Sequence, residues 1–175
     1  TFVLPVAEAS MQILGRTMPT GHVIGARGDH WNNHPSPKDP AAFNRFVNDF
    51  RQRYNEYPIY PCHHMAQALY ALQAAYAKAI QAKGGAWPND QELADAFRGL
   101  TFPTPTSEIT LRADGQGLED QIVGLSSFND RFPFAVPDRM IVYPAGEVSA
   151  PVGQKSVDWV KTLRPDMIQR VGRPL

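Results

Sequence analysis

Apolar residues in the first half of the chain recur every three or four positions, which is the spacing of one helix face. Asp39 suits the N-cap, because its carboxylate accepts from free backbone N–H groups, and Pro40 suits the first helical position. Pro58 predicts that this helix has ended, because proline cannot donate a backbone hydrogen bond. The pattern therefore predicts an amphipathic helix that begins after Asp39. Its apolar face consists of Phe43, Phe46, Val47, Phe50 and Tyr54.

A longer helical pattern follows the short link at 59–61 and ends at Gly84 and Gly85, a pair that suits a left-handed C-cap. Alanines lie between its larger apolar residues, and they predict close packing against another element. The larger apolar residues are Met65, Leu69, Leu72, Tyr76 and Ile80.

A third, shorter helix is predicted from Asn89, which is followed three residues later by Glu92. This spacing is that of a capping box, in which each side chain accepts from the other residue's backbone N–H. Leu93, Phe97 and Leu100 form the apolar side of this helix.

The segment before these helices predicts a strand at 1–6, a helix at 9–14 and a second strand at 22–26. This is a βαβ-like beginning. Because the first predicted strand starts at residue 1, we expect that further elements of the fold precede it.

Strands and one helix are also predicted after the helical region. The strands are 108–111, 121–127 and 139–143, and the last two are predicted to form a hairpin. Residues 112–117 are predicted to form a turn. A last helix is predicted at 155–163, with Val157, Val160 and Leu163 facing inward.

Composition then narrows the function classes. The chain holds 17 Lys and Arg residues against 17 Asp and Glu residues, so it has no excess positive field, and no nucleic acid is expected as a partner. No apolar run approaches the roughly 20 residues that a membrane-spanning helix needs, so no direct membrane insertion is expected. A hydrophobic content of 43% is enough for a core. The lone Cys62 excludes an internal disulfide and leaves the compartment open.

Several segments in this order resemble the C-terminal half of the periplasmic solute-binding proteins that serve branched-chain amino acid ABC transporters. FVLPVAEAS resembles a strand and ligand loop, and GHVIGARGDHW resembles a strand that leads out of a lobe. DPAAFNRFVNDFRQRYNEYP and HHMAQALYALQAAYAKAIQAKGG resemble the two helices that follow. ELADAFRGLTFPTPTSEITLRADGQG resembles the next helix, loop and strand, and GEVSAPVGQKSVDWVKTL resembles the ending of such proteins. The amide-sensing regulators that share this fold are similar around AEASMQILG and GHVIG.

The resemblance implies an α/β fold with the Rossmann-like, three-layer lobes of a type I periplasmic binding protein. Members of the family are about twice as long, and their two lobes are joined by three crossovers, so this chain is expected to be a C-terminal fragment. Residues 1–30 are then the end of the second lobe, residues 31–117 return to the first lobe, and residues 118–175 complete the second lobe.

Glu8 and Ser10 are the first candidate ligand-binding residues, because ligands of open α/β folds bind beyond the carboxyl ends of strands. A carboxylate at Glu8 can pair with the ammonium group of an amino acid in a dehydrated cleft. The alternative is that Glu8 caps the helix that contains Met11, near its positive end.

Two further groups of residues are candidates for the ligand site. His30 and Trp31 lie at the expected crossover, where an aromatic ring can cover a solute, or where the tryptophan can fasten a loop to the surface. Tyr60 and His63, with Cys62 and His64, precede or open the long helix, whose N-terminus offers free N–H groups to an anion.

Metal and nucleophile sites are alternatives that the sequence disfavours. His30 and His34 have the spacing of a helical metal pair, but Pro35 argues against a helix there. Cys62 adjoins His63, yet catalytic pairs meet in space rather than by adjacency in the chain. No phosphate loop, nucleophile elbow or paired-carboxylate motif is present, so we expect no catalytic residue, no metal and no cofactor.

The sequence therefore predicts a non-enzymatic binding protein that captures a small solute, such as an amino acid or a related amide or acid, by lobe closure. The resemblance implies a periplasmic location, an upstream signal peptide and a membrane permease as partner. A cytoplasmic amide sensor on the same fold and a small α/β enzyme are the alternatives. If these residues are the entire protein, we expect exposed apolar surface.

Overall fold

The computed structural model describes residues 2–4, 7–32, 39–167 and 172–174, and within them the strands form two separate sheets. The strands are β1 (Val3–Leu4), β2 (Val23–Ala26), β3 (Thr101–Pro103), β4 (Glu108–Leu111), β5 (Gly117–Leu118), β6 (Gln121–Ser127), β7 (Val136–Tyr143) and β8 (Arg173–Pro174). The larger sheet has the order β1-β2-β6-β7-β8, and the smaller one has the order β3-β4-β5. Among the described strands, only β1 and β2 pair in parallel, and the other neighbours are antiparallel.

In the described residues, one α-helix lies between β1 and β2, and three consecutive α-helices lie between β2 and β3. The α-helices are α1 (Glu8–Leu14), α2 (Pro40–Tyr54), α3 (Tyr60–Ala82), α4 (Asp90–Phe97), α5 (Ala145–Val148) and α6 (Ser156–Trp159). Short 3-10 helices follow α1 at Gly15–Thr17 and α6 at Val160–Thr162.

The helix caps that the sequence predicts are present. Asp39 Oδ1 accepts from the Ala42 N–H at 2.9 Å, and Pro40 occupies the first helical position of α2. At α4, Asn89 and Glu92 form the full capping box. These local predictions are confirmed because each cap needs only residues within one helical turn.

The predicted hairpin of β6 and β7 is confirmed, but β7 begins at Val136, three residues before the predicted start. The register shifts between Val123 and Leu125, and a Cβ on Gly124 would lie 2.9 Å from the Asp138 carbonyl oxygen. Such an irregularity breaks the alternating pattern that predicts strands, which is why the early part of β7 escaped the prediction.

The first predicted strand is shorter than expected in the described residues. β1 covers Val3–Leu4, while Thr1, Pro5 and Val6 of the predicted range lie outside the described part of the chain. The strands β3, β5 and β8 were not predicted, since two or three residues are too few for a period-2 pattern to appear.

The long helix α3 is buried along its alanines. Ala71, Ala75 and Ala79 pack against α4, β3 and β4, as their small size predicts. The larger apolar residues on the opposite face are turned outward: Met65 is 64% exposed and Leu69 is 61% exposed.

Two further apolar clusters surround the larger sheet. One joins α1 to β2 through Met11, Met18 and Ile24. The other places α2 beside the start of β7, with Phe43 and Val47 against Phe134, Val136 and Trp31. Both α1 and α2 therefore lie on the side of the larger sheet.

The prediction for the last helix was wrong in its length and its buried face. The segment forms one turn of α-helix at Ser156–Trp159 and a 3-10 turn at Val160–Thr162. Val157 is 65% exposed and Val160 is 56% exposed, so neither faces inward. Helical spacing on a short element identifies apolar residues on one side, but a neighbouring element must be present to bury them.

Candidate functional site

Glu8 is the centre of a buried junction between α1 and α3. It is the first residue of α1 and only 3% exposed, and its Oε2 accepts from the Tyr60 N–H at 2.7 Å. Tyr60 is the first residue of α3, where backbone N–H groups have no partner within the helix. The alternative that Glu8 caps its own helix is wrong: Ala7 is the N-cap residue of α1, and the carboxylate serves the helix across the junction.

Burial dominates the electrostatics of Glu8. The pKa of this carboxyl is raised to about 7, chiefly by removal from water and also by the nearby Asp29, against the lowering effects of the Tyr60 hydrogen bond and His64. Within the described residues Glu8 Oε1 has no hydrogen-bond partner. The carboxyl is therefore easily protonated near neutral pH.

His30 faces Glu8 but stays neutral. Its Nε2 lies 3.6 Å from Glu8 Oε1, which is too long for a good hydrogen bond. Its Nδ1 accepts from the Asn32 N–H at 3.2 Å, so the ring proton is on Nε2. The pKa of His30 is lowered to about 3, chiefly by full burial and also by the nearby His63.

The remaining predicted residues lie around this junction but are not all brought together. Trp31 is buried and stacks on Tyr57 with 3.7 Å between the ring centroids. His63 is buried beside the rings of Phe43 and Phe46. Ser10 is exposed and lines a separate apolar hollow of about 430 Å³ near β1.

A second buried polar cluster lies where the chain passes between the two sheets. The Gln67 side-chain amide on α3 donates to Asp29 Oδ2 at 2.6 Å and to Glu119 Oε1. Its nitrogen also lies 3.2 Å from Thr106 Oγ1. Asp29 follows β2 and Glu119 precedes β6, so one amide joins α3 to both segments that leave the larger sheet.

His64 completes this second cluster. Its Nε2 lies 2.7 Å from the Arg27 carbonyl oxygen and 2.8 Å from Glu119 Oε2. Both partners are acceptors, so Nε2 carries a proton. The Glu119 hydrogen bond raises the pKa of His64, while burial raises the pKa of Glu119.

Gly28 permits the close approach of the two passing segments. Its φ of +97° lies in the region that L residues rarely adopt, and a Cβ there would overlap the side chain of Glu119. The glycine thus leaves the space that the Glu119 carboxylate occupies beside Gln67.

An open cleft of about 520 Å³ adjoins the Glu8 junction but is not lined by Glu8. The cleft lies between α1, the end of α2 and the segment 131–134. Gln12 holds two of these walls together, since its side chain accepts from the Tyr57 N–H at 3.0 Å and donates to the Tyr57 carbonyl oxygen at 3.2 Å.

Sequence reasoning missed the residues that complete these sites: Asp29, Gln67, Glu119, Arg51 and Arg131. Gln67 was the one with a visible signal, because a polar residue interrupts the buried alanine row of α3 at the same helical spacing. The others are exposed or loop residues in sequence terms, and only the fold brings them together.

The described part of the chain contains no cluster of three or more His, Cys, Asp or Glu residues placed to hold a metal ion. His34, the second member of the disfavoured metal pair, lies outside the described residues. Among the described helices, none combines the length and apolar character that a membrane crossing needs.

Comparison with known proteins places this architecture. No protein-family model matches the sequence, and no curated protein matches it either. Among solved structures, an ABC-type branched-chain amino acid transporter protein from Rhodopseudomonas palustris is similar with a TM-score of 0.60 and 18% identity, over 84% of this chain and 36% of that one.

Two further solved structures are similar. The solute-binding protein of an ABC transporter from Rhodopseudomonas palustris, in complex with 3,4-dihydroxybenzoic acid, has a TM-score of 0.54 and 15% identity, over 82% of this chain and 37% of that one. An amino acid ABC transporter substrate-binding protein from Pseudomonas fluorescens has a TM-score of 0.52 and 22% identity, over 86% of this chain and 36% of that one. The predicted fold class is thus confirmed as that of type I periplasmic binding proteins, and the chain spans little more than a third of these structures.

Proposed function

We propose that the chain is the C-terminal part of a solute-binding protein that serves an ABC transporter and performs no catalysis. It captures a small solute, such as an amino acid or a related amide or acid, by closure of two lobes. The observation that carries the proposal is the Gln67 cluster, in which α3 contacts both segments that leave the larger sheet. A hinge between lobes needs a fixed contact to the segments that cross it, because these segments must bend without losing their buried hydrogen bonds.

The proposed division of the chain has residues 1–30 and 118–175 in the second lobe and residues 31–117 in the first. Sheet membership supports it, since β1, β2, β6, β7 and β8 form one sheet while β3, β4 and β5 form another. The helix α2 departs from this division, because Phe43 and Val47 pack against the start of β7 in the larger sheet. The chain passes from the smaller sheet to the larger one at Glu119, between β5 and β6.

The exposed face of α3 supports the proposal that the first lobe contains more than this chain. The exposed face of α3 carries a continuous apolar stripe formed by Met65, Leu69 and Leu72. An exposed apolar stripe of this kind marks a surface that another element covers. The similar structures are nearly three times as long as the matched portion. We propose that the remainder of the first lobe packs on this stripe.

Glu8, Ser10, His30, Trp31, Tyr60 and His63 remain our proposed solute-binding residues. The Glu8 junction supports a role for Glu8 and His30, because the buried Glu8 Oε1 has no hydrogen-bond partner within the described residues and lies 3.6 Å from His30 Nε2. The exposed position of Ser10 by the β1 hollow gives it the weakest support.

A transport role has two further consequences. The protein would be exported to the periplasm, and it would deliver its solute to a membrane permease without entering the membrane itself. Cell fractionation of the native protein tests the location: recovery in the cytoplasm would favour the amide-sensor alternative.

The central experiment is a thermal-shift screen of the intact protein against amino acids, amides, urea and aromatic acids. A ligand that binds only the folded state raises the melting temperature by mass action. A flat response to every compound contradicts the proposed function.

A further inference from the structure

His64 lies where α3 meets both segments that leave the larger sheet. Its Nε2 is 2.7 Å from the Arg27 carbonyl oxygen and 2.8 Å from Glu119 Oε2. Arg27 directly follows β2, and Glu119 lies between β5 and β6. Both neighbours are acceptors, so a single N–H of the ring is shared between them. We call these two contacts the His64 latch.

The two segments that the latch joins are also in direct contact with each other. Gly28 has no side chain, and the Glu119 side chain occupies the position that a Cβ would take. The carboxylate therefore rests on the backbone of the 27–29 segment. Displacement of Glu119 from His64 thus changes the path of the segment that follows β2, and the latch is coupled to the bend of both segments.

Three carboxyls face His64 from neighbouring elements. Glu119 contacts it from the segment before β6, Asp29 lies near it in the segment after β2, and Glu8 faces it from α1. Burial raises the pKa of Glu119 most, and Asp29 raises it as well, as expected for like charges that repel each other. A positive charge on His64 therefore stabilises this group of carboxyls, and its loss leaves their repulsion less compensated.

Among the described partners of Glu119, His64 is the one whose charge changes near neutral pH. The Gln67 amide also donates to Glu119, but an amide stays uncharged at every pH. The Arg27 guanidinium lies 6.0 Å from the Tyr60 ring centroid and remains a cation. The His64 ring is half-buried, so its proton can exchange with water.

The described arrangement has the features of closed lobes. Glu8 on α1 accepts from the Tyr60 N–H of α3, which joins the proposed second lobe to the first. Glu8, His30 and His63 are only 3%, 2% and 1% exposed. Opening would bring these residues into water and would separate α3 from the segments that His64 holds. The latch therefore belongs to the closed arrangement.

We propose that protonation of His64 favours lobe closure, so that the latch makes solute affinity depend on pH. This inference rests on the proposed function and concerns the regulation of its solute site. Protonated His64 binds Glu119 by a charged hydrogen bond, whereas the neutral ring retains at most an uncharged one. The contribution to closure is complete below pH 6.5 while Glu119 is ionised, and it is lost as pH rises through the raised pKa of His64. Since apparent affinity scales with the closed fraction, binding weakens over the same range.

The direct test measures lobe closure in the intact protein without any solute. Spin labels on A94C and D130C, in a C62S background, report the distance between exposed sites on α4 and on the loop between β6 and β7. Pulsed electron paramagnetic resonance gives the open and closed populations at about pH 6 and about pH 9, on either side of the usual histidine range. We expect the open-to-closed ratio to rise about tenfold between these pH values. A constant ratio would overturn the inference.

Variants assign the pH response to the latch. H64Q keeps a side-chain donor but cannot be charged, and E119Q keeps an acceptor for Gln67 without the negative charge. Each is expected to hold the ratio within about twofold over the same pH range, and either one decides the matter if the other fails to fold. Glu8 also titrates near neutral pH, but both variants retain it. A full native response in H64Q or E119Q therefore overturns the assignment to His64.

H22Q is the matched control. His22 directly precedes β2, and its Nδ1 accepts from the Phe2 N–H, away from the latch. The H22Q variant is expected to keep the full pH response, and loss of the response there would overturn the assignment.

The outcomes distinguish this inference from the proposed function. A protein that binds a compound of the solute screen but shows no pH-dependent closure contradicts this inference alone. A flat solute screen contradicts the proposed function, whatever the pH response of the labels.

Discussion

In the described part of the chain, two carboxyl groups lie beside a histidine, and the two pairs behave in opposite ways. Glu8 and His30 are both buried and separated by 3.6 Å, and the pKa of His30 falls to about 3. Glu119 and His64 are 2.8 Å apart, His64 is half-buried, and its pKa is raised. Proximity to a carboxyl therefore does not charge a histidine by itself. A short hydrogen bond and partial contact with water are needed to offset the cost of burying the cation.

The two pairs also differ in how much net charge is buried. The Glu8 pair contains a neutral imidazole and a carboxyl that is readily protonated, so little net charge is buried there. The negative charge of Glu119 is stabilised by hydrogen-bond donors, above all the Gln67 amide, which also donates to Asp29. We therefore expect the second region to be the more sensitive to loss of a single donor.

The largest expected effect is that of Gln67→Leu. It removes the donor shared by Asp29 and Glu119, and we expect a loss of about 3 kcal/mol of unfolding free energy at neutral pH. The loss should shrink in acid, where the carboxyls become protonated. Urea unfolding at several pH values measures it. Gln73→Leu is the matched control on the exposed side of α3, and an equal loss in both variants would contradict a special role for Gln67.

Gly28→Ala tests the same region through the backbone. The new Cβ would overlap Glu119 in addition to carrying the cost of a positive φ, so we expect a loss of about 2 kcal/mol. Gly21 also has positive φ, but a Cβ there meets nothing within 4 Å. Thermal unfolding of Gly21→Ala thus gives the backbone cost alone. If the two variants lose the same stability, the Glu119 contact carries no cost.

Glu8→Gln tests the first region by its pH dependence. Because the folded-state pKa of Glu8 is about 7, the folded protein binds more protons than the unfolded chain between about pH 4.5 and 7. The unfolded chain loses the Glu8 proton first, so the free energy of unfolding falls as pH rises through this window. Glu8→Gln should gain stability relative to the native protein over the same window, on the order of 3 kcal/mol. A pH-independent difference in unfolding free energy would contradict the raised pKa.

The last test follows the titration of the two histidines and requires no substitution. His30 should remain neutral down to about pH 3, and His64 should titrate above the ordinary histidine pKa of 6.5. The sign for stability differs accordingly. Burial of neutral His30 favours folding above pH 6.5, and this contribution is lost progressively as pH falls toward 3. The contribution of protonated His64 is complete below pH 6.5 and is lost as pH rises through its raised pKa. NMR of the ring C–H signals distinguishes the two, and similar titration midpoints would remove the contrast.

Local features of this fold could be predicted from the sequence because their causes lie within a few residues. The N-cap of Asp39, the Asn89 capping box and the end of α3 at two positive-φ glycines are of this kind. The hairpin of β6 and β7 was also predicted from its turn residues and apolar pattern.

The hydrogen-bond partner of Glu8 could not be predicted from the sequence pattern. The sequence placed a carboxylate at the start of a helix, which offered both a ligand contact and a cap for that helix. The structure directs it to the N–H of Tyr60, 52 residues away. On α3 the predicted close packing of the alanines is confirmed, but the pattern could not show that Met65 and Leu69 on the larger apolar face are exposed.

The sequence by itself determined the helices α1 to α4, the N-caps of α2 and α4, the main strands and the resemblance in segment order that gives the fold class. The tertiary structure decided which carboxyl meets which donor, which face of α3 is buried and which arginines share a cleft. The physical reason is the range of the interactions. Capping and periodicity act along one or two turns of chain, whereas the pKa of a buried group depends on every element packed around it.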